Sequence, residues 1–428
     1  MAQSLALLGG KPTRTRPFPS WPVFGRTEEQ RLLRTLRSGE WGRLQGREVA
    51  QFEQRFAKMH GCRHGIAVSN GTVSLRIGLL AAGIRAGDEV IVPPYTFLST
   101  ASAVVESNAV PVFADIDLET FNLAPAAVAA AITPRTRAIV PVHFAGQPAD
   151  MQALMAVAKR HKLFLFEDAA HAHGASYRHH PAGSIGHLAS FSFQSSKNLT
   201  AGEGGILTTN DESLAEACRS IQNCGRRPGG LWYEHHVISG NYRLGEFQGA
   251  VLNCQLNRLE QQTRTRDRNG QYLARRLAAL PGIHPQKRSA DCTRHSYHLF
   301  MLRLDPESFG VSRAAVVRAL QAEGIPCSAG YGFSLHQQPL FLNKAFGPFL
   351  PEASGRLDYG RTRCPNSDLL CQQQCIWLEQ RLFLGTRADL DEIARAFEKI
   401  HDHRDALCIW WKKNQPRPAR SRPPSPAR

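Results

Sequence analysis

The sequence predicts an α/β protein with a mostly parallel sheet, followed by a smaller α+β unit. Between residues 64 and 215, short apolar runs alternate with segments of helical periodicity. The runs are almost uninterrupted, which is typical of strands covered by helices on both faces. Near residue 250 this alternation gives way to one long helical pattern, which indicates a second unit. The chain of 428 residues is long enough for two or three domains.

An arm and two helices precede the sheet. Residues 1–26 are rich in proline and glycine, which predicts an extended N-terminal arm. A helix is then predicted from Thr27, a good N-cap, to Gly39, and a second over Arg47–His60. The predicted strands are Gly65–Val68, Glu89–Val92, Val110–Phe113, Ala138–Val142, Leu163–Phe166 and Ala189–Phe193. The helices predicted between them include Thr72–Ala82 and Asp150–His161.

The predicted domain boundaries follow from these patterns. A large domain is expected over residues 27–255 and a small domain over residues 256–405. A long helix would join them, with its leucines running from Leu252 to Leu280 across a charged stretch. Residues 406–428 mix prolines with arginines and serines and cannot bury enough apolar surface to fold, so we expect a disordered basic tail.

Composition limits the classes of function. No stretch of about 18 uncharged apolar residues is present, and the N-terminus lacks the basic lead of a signal peptide. We therefore expect neither a membrane partner nor export. The ten cysteines form no Cys-x-x-Cys pair, which favours free thiols in a reducing cytoplasm. The net charge of +16 favours anionic partners, but no motif of a nucleic-acid-binding protein accompanies it.

The first candidate site element is Val68-Ser69-Asn70-Gly71-Thr72, between a predicted strand and a predicted helix. Glycine permits a tight turn, and the free amides at a helix N-terminus attract an anion. Gly71 and Thr72 are therefore candidates for binding a phosphate. An ordinary strand-to-helix turn is the alternative interpretation of the same residues.

The second element is Glu167-Asp168-Ala169-Ala170-His171, which follows a predicted strand. Ligands of parallel sheets bind beyond the carboxyl ends of the strands. A carboxylate at Asp168 could pair with a cationic ring nitrogen, and His171 could lie against a flat ring. The alternatives are a helix cap at Asp168 and a buried structural histidine. Several further histidines lie nearby, but their spacing shows no metal-ligand pattern, so no metal site is predicted.

The third element is Ser192-Phe193-Gln194-Ser195-Ser196-Lys197, which ends before the glycine-rich turn Gly202–Gly205. Most lysines are solvated surface charges. Burial disfavours the charged form of an amine and makes it a nucleophile towards carbonyl carbons, so Lys197 is a candidate for covalent catalysis. Ser192 alternates with two phenylalanines and could bind phosphate.

These elements together match the needs of one cofactor. Pyridoxal 5'-phosphate requires a lysine for covalent attachment, a carboxylate at its ring nitrogen, a group against the ring face and a phosphate cup. The conjunction is far more specific than any single element, and pyridoxal 5'-phosphate is the cofactor that the sequence predicts.

The chain resembles the DegT/StrS-type sugar aminotransferases over residues 5–402. The resemblance implies the fold of aspartate aminotransferase (fold type I), with a mostly parallel seven-stranded sheet in the large domain and a smaller α+β domain after it. The residues before Lys197 look closest to members that act on inosose-type cyclitols. The matching stretches are Trp41-Gly42, Asn70–Thr72, Gly87–Pro93, Thr96-Phe97, Glu167–Ala170, Lys197–Leu199, Gly202–Gly205, Gly240–Arg243 and Leu335–Pro339.

The resemblance also implies roles. Lys197 would bind the cofactor covalently and later move a proton, and Asp168 would keep the ring nitrogen protonated. Phe97 and His171 would enclose the ring. The remaining implied contacts are Gly71, Thr72 and Ser192 to the phosphate, Asn241 to the phosphate of the other subunit, Arg243 to the donor's carboxylate, and Tyr331 and His336 to the acceptor.

The predicted function is therefore that of a homodimeric aminotransferase with shared sites and a ping-pong mechanism. Glutamate or glutamine would give the amino group, and a keto-sugar, nucleotide-linked or free, or a keto-cyclitol would accept it. Related dehydratases have histidine at the position of Lys197, so lysine favours transamination. Two alternatives stay open: a dehydratase or lyase of the same fold, and a regulatory protein that binds the cofactor without turnover.

Overall fold

The computed structural model describes residues 4–227, 229–350 and 357–415. Its strands are β1 (His64–Val68), β2 (Glu89–Val92), β3 (Val110–Phe113), β4 (Thr136–Ile139), β5 (Phe164–Asp168), β6 (Ser176–Tyr177), β7 (His180–Pro181), β8 (Leu188–Ser192), β9 (Gly205–Thr209), β10 (Ile283–Pro285), β11 (Cys292–Arg294), β12 (Leu299–Leu304) and β13 (Cys375–Glu379).

Helices cover the sheet and continue beyond it. They are α1 (Arg26–Ser38), α2 (Glu48–Met59), α3 (Gly71–Ala81), α4 (Ser99–Glu106), α5 (Pro125–Ala131), α6 (Met151–His161), α7 (Glu212–Gln222), α8 (Glu246–Leu277), α9 (Pro306–Phe309), α10 (Arg313–Ala322), α11 (Pro339–Leu342), α12 (Pro365–Leu369), α13 (Arg387–Asp402) and α14 (Arg404–Asn414). None of those in the described ranges is both long and apolar enough to cross a membrane.

The central sheet has seven strands in the order β1-β9-β8-β5-β4-β2-β3. Only β9 runs against the others, because it pairs antiparallel with both β8 and β1. The predicted α/β class and the mostly parallel seven-stranded sheet are confirmed. The strand absent from the predicted runs is β9, whose Gly-Ile-Leu-Thr-Thr sequence directly follows the glycine-rich turn.

Packing on both faces explains why the strands are mostly apolar. In β5, Leu165 packs with α5 and α6 on one face, and the next residue, Phe166, packs with α3 and α4 on the other. Both side chains have no exposed surface. Successive side chains of a strand point to opposite faces, so most strand positions between two helical layers are apolar.

Two predicted boundaries differ from the structure. Helix α1 begins at Arg26 rather than after Thr27, because Gly25 is the N-cap and its amide donates to Glu28 Oε2 at 3.0 Å. The long helix is α8, which ends at Leu277 and runs without a break through the expected domain boundary at residues 255 and 256. The division into a large and a small domain stays a prediction.

A second hydrophobic core gathers residues from both ends of the chain. It combines the end of α8, the antiparallel sheet β10-β12-β13 and helices α10 and α13. Leu5 and Phe18 of the N-terminal arm are buried in it. Arg14 forms an ion pair with Asp389 of α13, with Nη1 and Oδ1 2.8 Å apart. The arm is thus packed against the C-terminal unit rather than simply extended.

The prediction of a disordered tail from residue 406 is wrong for its first part. Helix α14 covers Arg404–Asn414, and Leu407 has no exposed surface because it packs in the second core. One buried leucine, with Trp410 and Trp411 partly buried beside it, orders this segment. Residues 416–428 lie outside the described part of the chain.

Candidate active site

A cavity of about 1460 Å³ opens at the carboxyl ends of the parallel strands. The strands β1, β2, β5 and β8 all run towards this edge, so the residues that follow them come together there. The predicted site residues that line the cavity are Gly71, Thr72, Phe97, Asp168, His171, Ser192, Lys197 and Tyr331.

Asp168 is the last residue of β5 and is 4% exposed. Thr100 Oγ1 donates to its Oδ2 at 2.8 Å, and the Ala170 amide donates to Oδ1 at 3.2 Å. Burial raises the pKa of the Asp168 carboxyl, while these hydrogen bonds and the charge of Lys197 act in the opposite direction. A cationic group placed against this carboxylate would be held strongly, because little water competes for it.

The residue before it, Glu167, fixes the end of β5 from the other face of the sheet. Its Oε2 lies 2.8 Å from His143 Nε2, and it accepts hydrogen bonds from the amides of Gly183, Ile185 and Gly186. Burial alone would raise the pKa of Glu167, but His143 and the amides hold it below its usual value. Glu167 therefore has a structural role, which holds Asp168 in place.

Lys197 lies in a tight turn after β8. Its amide donates to Gln194 O at 2.9 Å, and the Ala201 amide donates to Phe193 O at 3.1 Å, which closes the loop. The side chain is half-buried and faces the cavity. Burial lowers the pKa of Lys197 from 10.5 to about 8, although Asp168 acts to raise it. A substantial fraction of the amine is therefore neutral, and nucleophilic, slightly above neutral pH.

This depressed pKa predicts a pH-dependent stability. The Lys197→Met variant of the ligand-free protein is expected to unfold with a free energy on the order of 2 kcal/mol higher than wild type below pH 8. Wild type loses this amount because the folded state holds the protonated amine poorly. The advantage should vanish as the pH rises from about 8 to 10.5, the range between the folded and ordinary pKa values.

Urea unfolding at a series of pH values measures the difference. Lys58→Met is the matched control, since it removes an exposed lysine, and its stability relative to wild type is the baseline at each pH. An advantage of Lys197→Met that stayed constant up to pH 11 would contradict the depressed pKa.

The start of α3 forms a cup at one end of the cavity. Asn70 caps the helix, with its Oδ1 accepting from the Val73 amide at 2.9 Å, which leaves the Gly71 and Thr72 amides at the open N-terminus. A Cβ on residue 71 would lie 2.7 Å from Ser192 Cβ, so only glycine allows this approach. The two amides and the hydroxyls of Ser192 and Thr72 can thus surround a phosphate-sized anion.

The cavity residues described above lie within the part of the chain that matches a protein-family model. The model of the DegT/DnrJ/EryC1/StrS aminotransferase family matches residues 23–395. The chain belongs to this aminotransferase family. The enzyme class predicted from the sequence is confirmed.

Two relatives and a solved structure show the extent of the similarity. The L-glutamine:2-deoxy-scyllo-inosose aminotransferase of Streptoalloteichus tenebrarius is 38% identical over 430 residues, covering 95% of this chain and 100% of that protein. The 3-amino-5-hydroxybenzoate synthase of Amycolatopsis mediterranei is 38% identical over 390 residues, covering 89% and 98%. A crystal structure of 3-amino-5-hydroxybenzoic acid synthase matches with a TM-score of 0.82 at 37% identity, covering 91% and 100%.

The two residues predicted to enclose the cofactor ring, His171 and Phe97, differ in how far they are buried. His171 is 7% exposed, and its Nδ1 accepts from the Ala145 amide at 3.3 Å, so the ring is held from behind. Phe97 lines the same cavity but is 61% exposed. His171 is thus fixed before any ligand enters, whereas Phe97 presents an open aromatic face.

Three predicted residues do not line the cavity of their own chain. Asn241 is exposed, and Arg243 donates through Nη1 to Asn223 Oδ1 at 2.7 Å. His336 is 3% exposed and packs beside Phe113, with Nε2 3.5 Å from Asp368 Oδ1. His336 therefore lies outside this cavity, and its contact with an acceptor stays a prediction.

Several residues of the aminotransferase site carried no signal in the sequence. Thr100 binds Asp168 from α4, Trp21 lines the cavity from the N-terminal arm, and His298 lines it from the residue before β12. No motif marks them, since each reaches the site through contacts distant in the chain. Within the described ranges, no group of three or more histidine, cysteine, aspartate or glutamate side chains is arranged to hold a metal ion.

Proposed function

We propose that this enzyme binds pyridoxal 5'-phosphate around Lys197 and moves an amino group from glutamine or glutamate to a keto-cyclitol or keto-sugar. The observation that carries the proposal is the pairing, in one cavity, of a lysine whose pKa burial lowers to about 8 with the buried carboxylate of Asp168. Few other functions need an amine nucleophile and an anion at the same site.

The residues present fit the cofactor. The narrow approach of Gly71 to Ser192 leaves the amides of α3 open to a phosphate, and Asp168 supplies the anion for a ring nitrogen. His171 and Phe97 offer faces for the ring. When bound, the cofactor supplies a cationic ring that delocalises the electron pair left by a departing α-proton.

The chain's own groups then perform the proton transfers and the positioning. With the cofactor bound, the neutral Nζ of Lys197 would accept the α-proton of the donor as a general base. It would then return that proton, as a general acid, to the cofactor carbon on the other side of the donor nitrogen. The Asp168 carboxylate keeps its orientation because Thr100 and Ala170 hold one oxygen each. His171, held by the Ala145 amide, limits movement of the ring.

The substrate class is supported by the relatives. The name of the Streptoalloteichus enzyme gives L-glutamine and 2-deoxy-scyllo-inosose as its substrates. The residues Gln194-Ser195-Ser196, directly before Lys197, also resemble members that act on inososes. We therefore favour a cyclic polyhydroxy ketone over a nucleotide-linked sugar. The proposed location is the cytoplasm, which suits ten cysteines that are all free.

A half-reaction screen tests the acceptor. The holoenzyme is first converted with glutamine to the form that carries the amino group, and the remaining donor is removed. Candidate ketones are then added, and the return of the absorption band of the starting holoenzyme is followed. Inososes are expected to restore the band and to yield an amino-cyclitol detectable by mass spectrometry. Restoration by 2-oxoglutarate alone would contradict the acceptor class, and a deoxygenated product without nitrogen would indicate a dehydratase.

A shared active site in a homodimer is the second part of the proposal. It is supported by Asn241, which is exposed and lies outside the cavity of its own chain. Lys197→Ala and Asn241→Ala proteins, each inactive alone, are expected to recover roughly one quarter of wild-type activity when their subunits are mixed at random. Each mixed dimer would contain one intact site. No recovery, with mixed dimers verified by native mass spectrometry, would show that Asn241 acts within its own chain.

A further inference from the structure

His298 is a nearly buried polar side chain of the cavity wall that takes no part in the proton transfers assigned to Lys197. It directly precedes β12, lines the cavity and is 6% exposed. One of its ring nitrogens, Nδ1, lies 3.3 Å from Asn198 Oδ1. The other, Nε2, forms no hydrogen bond with any described residue, yet it is not enclosed by protein atoms. The open space beside this ring is the cavity, so Nε2 is accessible from there.

Asn198 determines which nitrogen of His298 carries the proton. Asn198 Nδ2 donates to Ser296 O at 2.7 Å, so its Oδ1 is the atom next to the histidine. Because an amide oxygen can only accept, Nδ1 of His298 is the donor of this pair. Burial, with the charges of His171 and Lys197, lowers the pKa of His298 well below its usual value. The ring is therefore neutral, and the lone pair of Nε2 is available to accept a hydrogen bond.

The backbone before His298 is held in a conformation that costs free energy. Tyr297 is buried and has a φ of +45°, which L residues rarely adopt. Ser296 is bound through two groups, since its amide donates to Gly146 O at 3.0 Å and its Oγ donates to His171 O at 2.8 Å. A strained residue persists only where its surroundings impose the conformation. The position of His298 is therefore fixed before a ligand enters the cavity.

His298 also lies beside the groups that would carry the chemistry. Its ring centroid is 4.2 Å from that of His171, with an angle of 40° between the two planes. Its partner Asn198 directly follows Lys197 in the chain. A substrate whose reacting carbon meets Lys197 would therefore bring the atoms next to that carbon close to His298.

A hydrogen-bond acceptor at this position suits the ketone better than the amino donor. The carbons next to the carbonyl of an inosose carry hydroxyl groups, which can donate to Nε2. The carbons next to the α-carbon of glutamine are a carboxylate and a methylene, and neither of them can donate. A carboxylate oxygen placed against the Nε2 lone pair would lose its hydrogen bonds to water without replacement.

We infer, on the basis of the proposed function, that His298 Nε2 accepts a hydrogen bond from a hydroxyl on the carbon next to the acceptor's carbonyl. His298 is then a specificity-determining residue, which favours α-hydroxy ketones over ketones that lack this hydroxyl. Because its ring stays neutral, His298 binds the hydroxyl without taking its proton. Lys197 remains the group that moves protons.

The half-reaction of the amino form of the enzyme with two matched ketones tests this role. One ketone is scyllo-inosose, and the other is its dideoxy analogue without the hydroxyls on the two carbons next to the carbonyl. Wild type is expected to react roughly five- to tenfold more efficiently with scyllo-inosose, the effect of one hydrogen bond. His298→Phe, which keeps a flat ring but has no acceptor atom, should lose most of this preference. His298→Gln, whose amide oxygen can replace Nε2, should keep part of it.

Two controls separate a specific contact from a general disturbance of the site. With glutamine, the rate of His298→Phe should stay within about twofold of wild type, because no hydrogen bond to the donor is lost. His161→Phe, at the exposed end of α6, should keep the wild-type preference between the ketones. Melting temperatures verify that the ligand-free variants are folded, and His298→Met provides the same comparison if His298→Phe does not fold.

The possible failures can be told apart. An equal loss of rate with glutamine and with scyllo-inosose in His298→Phe would overturn the role of His298 and leave the proposed function standing. A wild-type enzyme that reacted equally well with both ketones would do the same. Wild type that reacted with glutamine but with neither ketone would overturn the proposed acceptor class, and the role of His298 with it.

Discussion

Replacement of Lys197 by alanine is expected to lower transamination by at least about 10⁴-fold. Under the proposed function two roles would be lost together, because the same Nζ would attach the cofactor and move the substrate proton. Cofactor attachment should fail as well, so borohydride should no longer fix pyridoxal 5'-phosphate to the chain. The measurement is steady-state turnover with glutamine and an inosose, combined with mass spectrometry of the reduced protein.

The control and a rescue separate this effect from misfolding. Lys58→Ala removes an exposed lysine of α2 and is expected to keep full activity. Added methylamine should restore part of the proton transfer in Lys197→Ala, since a free amine can act as the missing base. If Lys197→Ala kept turnover within tenfold of wild type, the catalytic assignment would be wrong.

Replacement of Asp168 by asparagine is expected to lower turnover by about 10²–10³-fold while the protein stays folded. The amide keeps the shape of the side chain and can still bind Thr100 Oγ1. It cannot hold a ring nitrogen in the protonated form, so the cofactor would delocalise electrons less well. Asp168→Ala, which also removes the contacts to Thr100 and Ala170, should bind the cofactor weakly.

A single-turnover reaction of the holoenzyme with glutamine measures the half-reaction that loss of the Asp168 carboxylate should slow. With saturating cofactor, Asp168→Asn should show slow conversion and an unchanged melting temperature of the ligand-free protein. Asp405→Asn, at an exposed position in α14, is the control for loss of a carboxylate. If Asp168→Asn converted the cofactor at the wild-type rate, the carboxylate would have no part in activating the cofactor.

The sequence was most informative where a local pattern determines the position of a side chain. Asp168 ends an apolar strand and Lys197 follows another, and parallel strands bring such residues to one edge of the sheet. The turn at Gly71 could also be predicted, because it lies between a strand pattern and a helix pattern. These are short-range features, which depend on the alternation of strands and helices and on the conformational needs of single residues.

Contacts between segments that are far apart in the chain could not be predicted from the sequence. Thr100 reaches Asp168 across 68 positions, and Trp21 reaches Ser195 across 174. The tail was judged by composition alone, although Leu407 finds a place in a core formed by both ends of the chain. His336 matched a family motif, yet its surroundings of Phe113 and Asp368 keep it out of the cavity.

The course of the N-terminal arm links regions that the chain otherwise separates. Leu5 and Phe18 are buried among C-terminal residues, and Arg14 pairs with Asp389. A few residues later, Trp21 Nε1 donates to Ser195 O, two positions from Lys197. The arm therefore connects the C-terminal core to the loop that carries Lys197. Removal of the first 20 residues would weaken the packing of the arm at both places at once.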